Sequence, residues 1–254
     1  MFFSYEHLEF RYDPYPVGLA KPLMDASFYA DVVKRFPPVE IMTSHADVGR
    51  QGEKYTLSKK LTPRRYAKFV RADPVWREFH RWISSDAFVY ELLETLSSHD
   101  IDLGFRRMSS TRRSLKRLAG RVARGKVGAE LSRLKARFEF SALSANGGHL
   151  LPHTDSPGKV ATIVVPILHE DDWDPSFGGA TDINVPIRDA DKYNLVNHKA
   201  GFDDMGVAHS YPYAPNQGLV FVKTHNSWHS VRPMTGKEDG SLRRTLTINV
   251  EMLG

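Results

Sequence analysis

The 254-residue chain contains no cysteine. Disulfides, thiolate metal sites and cysteine nucleophiles are therefore excluded. Any metal must be held by histidine and carboxylate, a donor set that suits iron, manganese or zinc. Long apolar runs are lacking as well. "IVVPIL" at 163–168 is among the longest, far short of the roughly 20 residues a membrane-spanning helix requires. The opening "MFFSYEHLEFRYD" has neither the basic region nor the apolar stretch of a signal peptide, so a cytoplasmic location is the expectation. No internal repeat or low-complexity tract stands out.

What the chain does contain is enough for a core. Hydrophobic residues make up 41% and aromatic residues 11%, a composition that folds, and one domain over 1–254 is expected. The net charge of +5 is unevenly spread. Residues 105–137 carry twelve Lys and Arg against a single acid, Glu130, so this segment is +11 and the remainder −6. Leu115, Leu118, Val122, Val127, Leu131, Leu134 and Phe138 recur there at spacings of three to five. That pattern predicts a basic helix or helix pair docked by an apolar stripe, weakened by Gly120, Gly125 and Gly128. Its charged face is either simply solvated or meets an anionic partner: an acidic substrate, or membrane headgroups in peripheral contact. Nucleic acid is the least favoured partner, because no recognised binding signature accompanies the charge.

Elsewhere the period of the apolar residues changes along the chain. Residues 1–104 read as a helical support region. "MDASFYADVVKRF" (24–36) opens on Asp25 as a cap and is stopped by Pro37–Pro38, and 73–100 reads as two helices broken at Ser84–Asp86. From 138 onward, "RFEFSALS" (137–144), "KVATIVVPIL" (159–168), "ATDINVPI" (180–187), "GLVFVKT" (218–224) and "RRTLTINVEM" (243–252) read as strands separated by turn residues. Successive short strands without intervening helices argue for an antiparallel barrel or jelly roll, here with the N-terminal helices packed against it. The 188–217 segment reads as a long connection, either a lid or an ordinary excursion.

The pattern His-any-Asp occurs three times, at His45/Asp47, His153/Asp155 and His169/Asp171, so the pattern alone decides nothing. On a strand or its end, residues i and i+2 point to one face and send an imidazole and a carboxylate into the same space. His45/Asp47 lies in a polar turn region and His169/Asp171 in an acidic cluster past a strand. Only His153/Asp155, in "GGHLLPHTDSPGK", precedes a strongly apolar strand. Further on, "GLVFV", "NSWHSV" and "RRTLT" follow in order.

Together "PHTDSPGK", "FGGATDI", "GLVFV", "NSWHSV" and "RRTLT" resemble the iron(II)- and 2-oxoglutarate-dependent dioxygenase superfamily over roughly 138–254. The resemblance implies a mainly β protein with helices, built on a double-stranded β-helix of the jelly-roll, cupin-like kind. It implies that His153, Asp155 and His229 hold Fe(II), leaving three open positions for 2-oxoglutarate and molecular oxygen. His229 fits the distal-histidine context better than His225, while His149, His198 and His209 read as loop or surface residues. The far carboxylate of 2-oxoglutarate then calls for a guanidinium. Arg243 and Arg244 are the candidates. Arg243 fits better because the family's arginine lies four before a small hydroxyl residue, a place Thr247 fills. On this strand Arg243, Thr245, Thr247 and Asn249 share one face, opposite Leu246, Ile248 and Val250.

The implied reaction hydroxylates an organic substrate with release of succinate and CO2. A small metabolite, sugar or peptide is open as substrate, with an anionic one suggested by the basic segment. The chain departs from the family in one respect: neither "SALSANGG" nor "TIVVPIL" supplies the tyrosine that many members use on 2-oxoglutarate. Asp155 stands where halogenating relatives carry a small residue, so hydroxylation is expected. The rivals are a nucleic-acid demethylase of the same superfamily, which would carry a second arginine where this chain has Asn249; a jelly-roll binding protein without catalysis; and a cupin-like enzyme that uses another metal and no 2-oxoglutarate.

Overall fold

The computed structural model describes residues 2–45, 54–105, 134–168, 173–237 and 240–252. Residues 106–133, most of the basic segment, lie outside the described residues, as do Asp47, His169 and Asp171. Among the described residues, no helix is long and apolar enough to cross a membrane.

Among the described residues, two antiparallel sheets carry the molecule. The larger runs in the order β1 (Leu8–Arg11), β2 (Val17–Ala20), β10 (Gly218–Val222), β7 (Lys159–Pro166), β12 (Leu242–Met252), β5 (Leu134–Ser144), β4 (Lys54–Ser58) and β3 (Thr43–Ser44). The smaller runs β6 (Leu150–His153), β11 (His229–Val231), β8 (Thr181–Pro186) and β9 (Met205–Tyr211). From β5 onward the chain passes back and forth between the sheets, which is the winding of a double-stranded β-helix. The long strands follow the expected alternation. Leu246, Ile248 and Val250 of β12, with Phe138, Phe140 and Ala142 of β5, belong to the main core, while Arg243, Thr245 and Thr247 line the space between the sheets.

Among the described residues, four helices cover the core side of the large sheet: α1 (Ala26–Lys34), α2 (Pro63–Ala72), α3 (Pro74–Ile83) and α4 (Asp86–Ser98). Asp25 caps α1 through the Ser27 and Phe28 amides. Asp73 caps α3 through Val75 and Trp76, and also pairs with Arg35 at 2.8 Å. Ser84 and Ser85 make the break before α4, as the sequence predicts. Trp76 and Phe79 of α3 are fully buried, and Trp76 meets Phe140 edge-on with ring centroids 4.7 Å apart. Each such side chain contributes on the order of 2–3 kcal/mol of burial.

Three expectations need correction. Leu134 and Phe138, taken from their spacing as the end of a basic helix, lie in β5, where Leu134, Ala136, Phe138 and Phe140 alternate into the core. The N-terminal region is not purely helical, since β1 and β2 extend one edge of the large sheet and β3 and β4 the other. Nor is 188–217 a plain connection. Its residues Met205–Tyr211 form β9, the edge strand of the small sheet, paired to β8. Only the two ends of β9 are buried, so it shows no apolar alternation.

Candidate metal centre

The space between the sheets is a cavity of about 630 Å³, its open mouth included. His153, Asp155 and His229 meet in it. His153 ends β6 and His229 begins β11, and the two are directly opposite in the antiparallel register. Side chains so placed share a face at close range, and the two imidazole centroids are 4.4 Å apart. Asp155 follows β6 by two residues with φ +70°, a left-handed conformation that aspartate tolerates better than most non-glycine residues. Its Oδ1 lies 3.8 Å from His153 Nε2. One donor atom from each of the three residues falls within 4.8 Å of the other two.

Backbone carbonyls orient both imidazoles. His153 Nδ1 is 2.8 Å from the Leu151 carbonyl and His229 Nδ1 is 2.9 Å from that of Ser227. Donation of Nδ1–H to these acceptors leaves both Nε2 lone pairs free, the tautomer a metal requires. Phe221 stacks on His229 at 4.7 Å. Burial pushes His153 down to about 3, with the His229 charge acting in the same direction, and burial also lowers His229. Both rings are therefore neutral at pH 7. Burial alone would raise the Asp155 carboxyl, yet the Lys159 ammonium, joined by the two imidazoles when these are protonated, holds it well below the usual carboxylate range. Lys159 Nζ donates to Asp155 Oδ1 at 2.8 Å and Thr162 Oγ1 to Oδ2 at 3.1 Å. Two free imidazole nitrogens and one ionised carboxylate converging on one point fit a divalent first-row metal, and they are the set of a non-haem Fe(II) site with open positions.

Arg243 lines the same cavity and is only 4% exposed. Its Nε donates to the Gly179 carbonyl at 2.6 Å and a terminal nitrogen donates to Thr181 Oγ1 at 3.1 Å. Its guanidinium carbon lies 5.0 Å from the Tyr213 ring centroid. No carboxylate among the described residues pairs with it, and burial pushes it down to about 10. The double glycine of "FGGATDI" acquires a reason here. Gly178 and Gly179 have φ +84° and +82°, and a Cβ on Gly179 would lie 3.3 Å from Arg243 Cδ. Arg244, on the opposite face, is exposed.

The other described histidines lie apart from this group. His45 bonds Thr56 Oγ1, His149 the Gly147 carbonyl and His209 the Asp13 carbonyl. His198 packs on Trp228 and His225 is exposed. Sequence reasoning missed Lys159, Thr162, Phe221 and Tyr213, together with two charged cavity residues, Lys54 and Glu139. Strand parity could have found Glu139, which shares a face with Ser141 on β5. Nothing local marks Lys54.

No protein-family profile matches the chain, and a search of curated proteins finds no match. Among solved structures the chain is similar to a prolyl hydroxylase from Trichoplax adhaerens in complex with a hypoxia inducible factor oxygen degradation domain peptide fragment. That match has 10% identity, covers 92% of this chain and 83% of the other, and has a TM-score of 0.49. It is similar to a Pseudomonas putida prolyl-4-hydroxylase at 12% identity, with coverage of 94% and 93% and a TM-score of 0.48. It is also similar to a 2OG-Fe(II) oxygenase family oxidoreductase from Burkholderia pseudomallei at 16% identity, with coverage of 90% and 79% and a TM-score of 0.36.

Proposed function

We propose that the chain is an Fe(II)- and 2-oxoglutarate-dependent oxygenase that hydroxylates an organic substrate, a small molecule or peptide. One observation carries the reading. A single cavity holds two free imidazole nitrogens with an ionised carboxylate, and also a buried guanidinium that no acid among the described residues neutralises. The first group is what a divalent iron takes. The second is what the far carboxylate of a dicarboxylic acid takes, since a guanidinium presents paired donors to a carboxylate. A cupin-like enzyme without 2-oxoglutarate would leave Arg243 an uncompensated buried cation, a costly arrangement without purpose.

Held by His153, Asp155 and His229, Fe(II) would activate dioxygen, and the four electrons of its reduction would come in pairs from decarboxylation of 2-oxoglutarate to succinate and CO2 and from the C–H bond that is hydroxylated. The protein's own residues do the rest. The Leu151 and Ser227 carbonyls fix the two imidazoles, while Lys159 and Thr162 hold Asp155 ionised and in place. Gly179, Thr181 and Tyr213 present the Arg243 guanidinium to the cavity.

The test is direct. Under argon, the Fe(II)-loaded protein should develop a visible absorption band on adding 2-oxoglutarate, and with ascorbate in air it should form succinate. His153→Ala and His229→Ala should abolish both signals, whereas His45→Ala, His149→Ala, His169→Ala and His225→Ala should keep them. A wild-type protein that gives neither band nor succinate is not this enzyme.

A further inference from the structure

We propose that Lys54 is a second anchor for 2-oxoglutarate, holding the far carboxylate together with Arg243; the inference rests on the oxygenase reading above. The sheet register places it there. Lys54 on β4 is opposite Leu143 on β5, and Leu143 is opposite Arg243 on β12. Residues directly opposite in an antiparallel sheet share a face, so Lys54 and Arg243 flank Leu143 on the side that lines the cavity, and both line it.

The ammonium of Lys54 makes no hydrogen bond or ion pair with any described residue. The two carboxylates whose charge reaches it are Glu139, the stronger of the two, and Asp155, and neither bonds it directly. Glu139 accepts from Arg137 at 3.1 Å, and Asp155 from Lys159 at 2.8 Å. Burial lowers Lys54, and the charges of Lys159 and Arg243 act in the same direction. Two cations sharing a desolvated face repel each other unless an anion joins them, and a carboxylate with two oxygens can accept from both. Among the described hydroxyls that line the cavity, Ser230 Oγ has no partner, whereas others are engaged. Ser141 and Thr245 bond each other at 2.8 Å, Thr181 accepts from Arg243, and no tyrosine is among the described lining residues.

The experiment compares two 2-oxo acids on the anaerobic Fe(II) protein, read by the ligand-dependent absorption band and by calorimetry. 2-Oxoglutarate carries the far carboxylate and 2-oxobutanoate lacks it. Lys54→Met should weaken 2-oxoglutarate roughly ten- to a hundred-fold and leave 2-oxobutanoate unchanged, and Lys54→Arg should restore most of the loss. Lys54→Gln serves as the neutral variant should methionine impair folding, which circular dichroism and a thermal melt would reveal. Unchanged 2-oxoglutarate affinity in Lys54→Met or Lys54→Gln overturns the assignment, and so does an equal loss for both acids. A wild-type protein that binds neither acid refutes the oxygenase reading and the inference together, whereas a wild-type protein that binds 2-oxoglutarate beside an unaffected variant refutes the inference alone.

Discussion

Replacing Arg243 with methionine tests the cosubstrate end of the cavity, and the structure assigns the change two effects of different size. The first is on the protein without ligands. Arg243 is 4% exposed, and its guanidinium is pushed from 12.5 down to about 10 by burial. At 1.36 kcal/mol per pKa unit, keeping the charge there costs on the order of 3 kcal/mol. Removing it relieves that cost but strands the Gly179 carbonyl and loses the Thr181 bond and the Tyr213 ring contact. Those losses sum to roughly 2–4 kcal/mol. The two sides nearly cancel, so the ligand-free melting temperature should move by no more than a few degrees.

The second effect is on 2-oxoglutarate. Truncating one partner of a buried, hydrogen-bonded charge pair costs about 2–5 kcal/mol, which corresponds to a loss of affinity of roughly thirty-fold or more. Anaerobic titration of the Fe(II) protein reads the second effect and calorimetric melting the first. Arg244→Met, on the exposed face, is the control and should bind as wild type does. Arg243→Lys keeps the charge without the fork and should fall between wild type and methionine. The reasoning is refuted if Arg243→Met binds 2-oxoglutarate as tightly as wild type, or if Arg244→Met shows the loss instead.

Two further outcomes follow from the same geometry. The folded His153 imidazole titrates near 3 and the unfolded one near 6.5, so between these values the unfolded chain carries the extra proton. The stability of the metal-free protein therefore falls as pH drops from 6.5 towards 3, with His153 contributing up to about 1.4 kcal/mol per pH unit. Urea denaturation across this window should give a shallower pH slope for His153→Asn than for wild type, and equal slopes would contradict the assignment. Gly179→Ala places a methyl in a left-handed backbone at φ +82°, 3.1 Å from Trp173 and 3.3 Å from Arg243 Cδ. It should cost roughly 1–3 kcal/mol of stability and weaken 2-oxoglutarate binding, because the Gly179 carbonyl positions Arg243. A variant as stable as wild type would show that the loop yields.

Which parts of this fold could be read from the sequence depends on how far apart the interacting residues lie. Residues 243–252 read as one strand whose parity puts Arg243, Thr245, Thr247 and Asn249 on one face, but the preference for Arg243 over Arg244 rests on the family spacing to Thr247, and it is the structure that buries Arg243 and exposes Arg244. Leu134 and Phe138 misled for a physical reason. A spacing of four is two full periods of a strand and close to one turn of a helix, so this pair is apolar on one face under either conformation. Only the pairing of Leu134 with Met252 and of Phe138 with Ile248 decides for the strand. The short strands β1 to β4 and β9 have too few residues, or too few buried ones, to display a period at all. At the site, His153 and Asp155 are two residues apart, one of three such pairs in the chain, and only the strands and the distal His229 around them single them out. Tyr213, under the Arg243 guanidinium, comes from a segment that shows no pattern. Lys54 reaches the cavity only through two successive strand registers, from β4 to β5 and from β5 to β12. Cross-strand register is a property of the assembled sheet, and the residues that complete the charge of this cavity are the ones that register alone brings in.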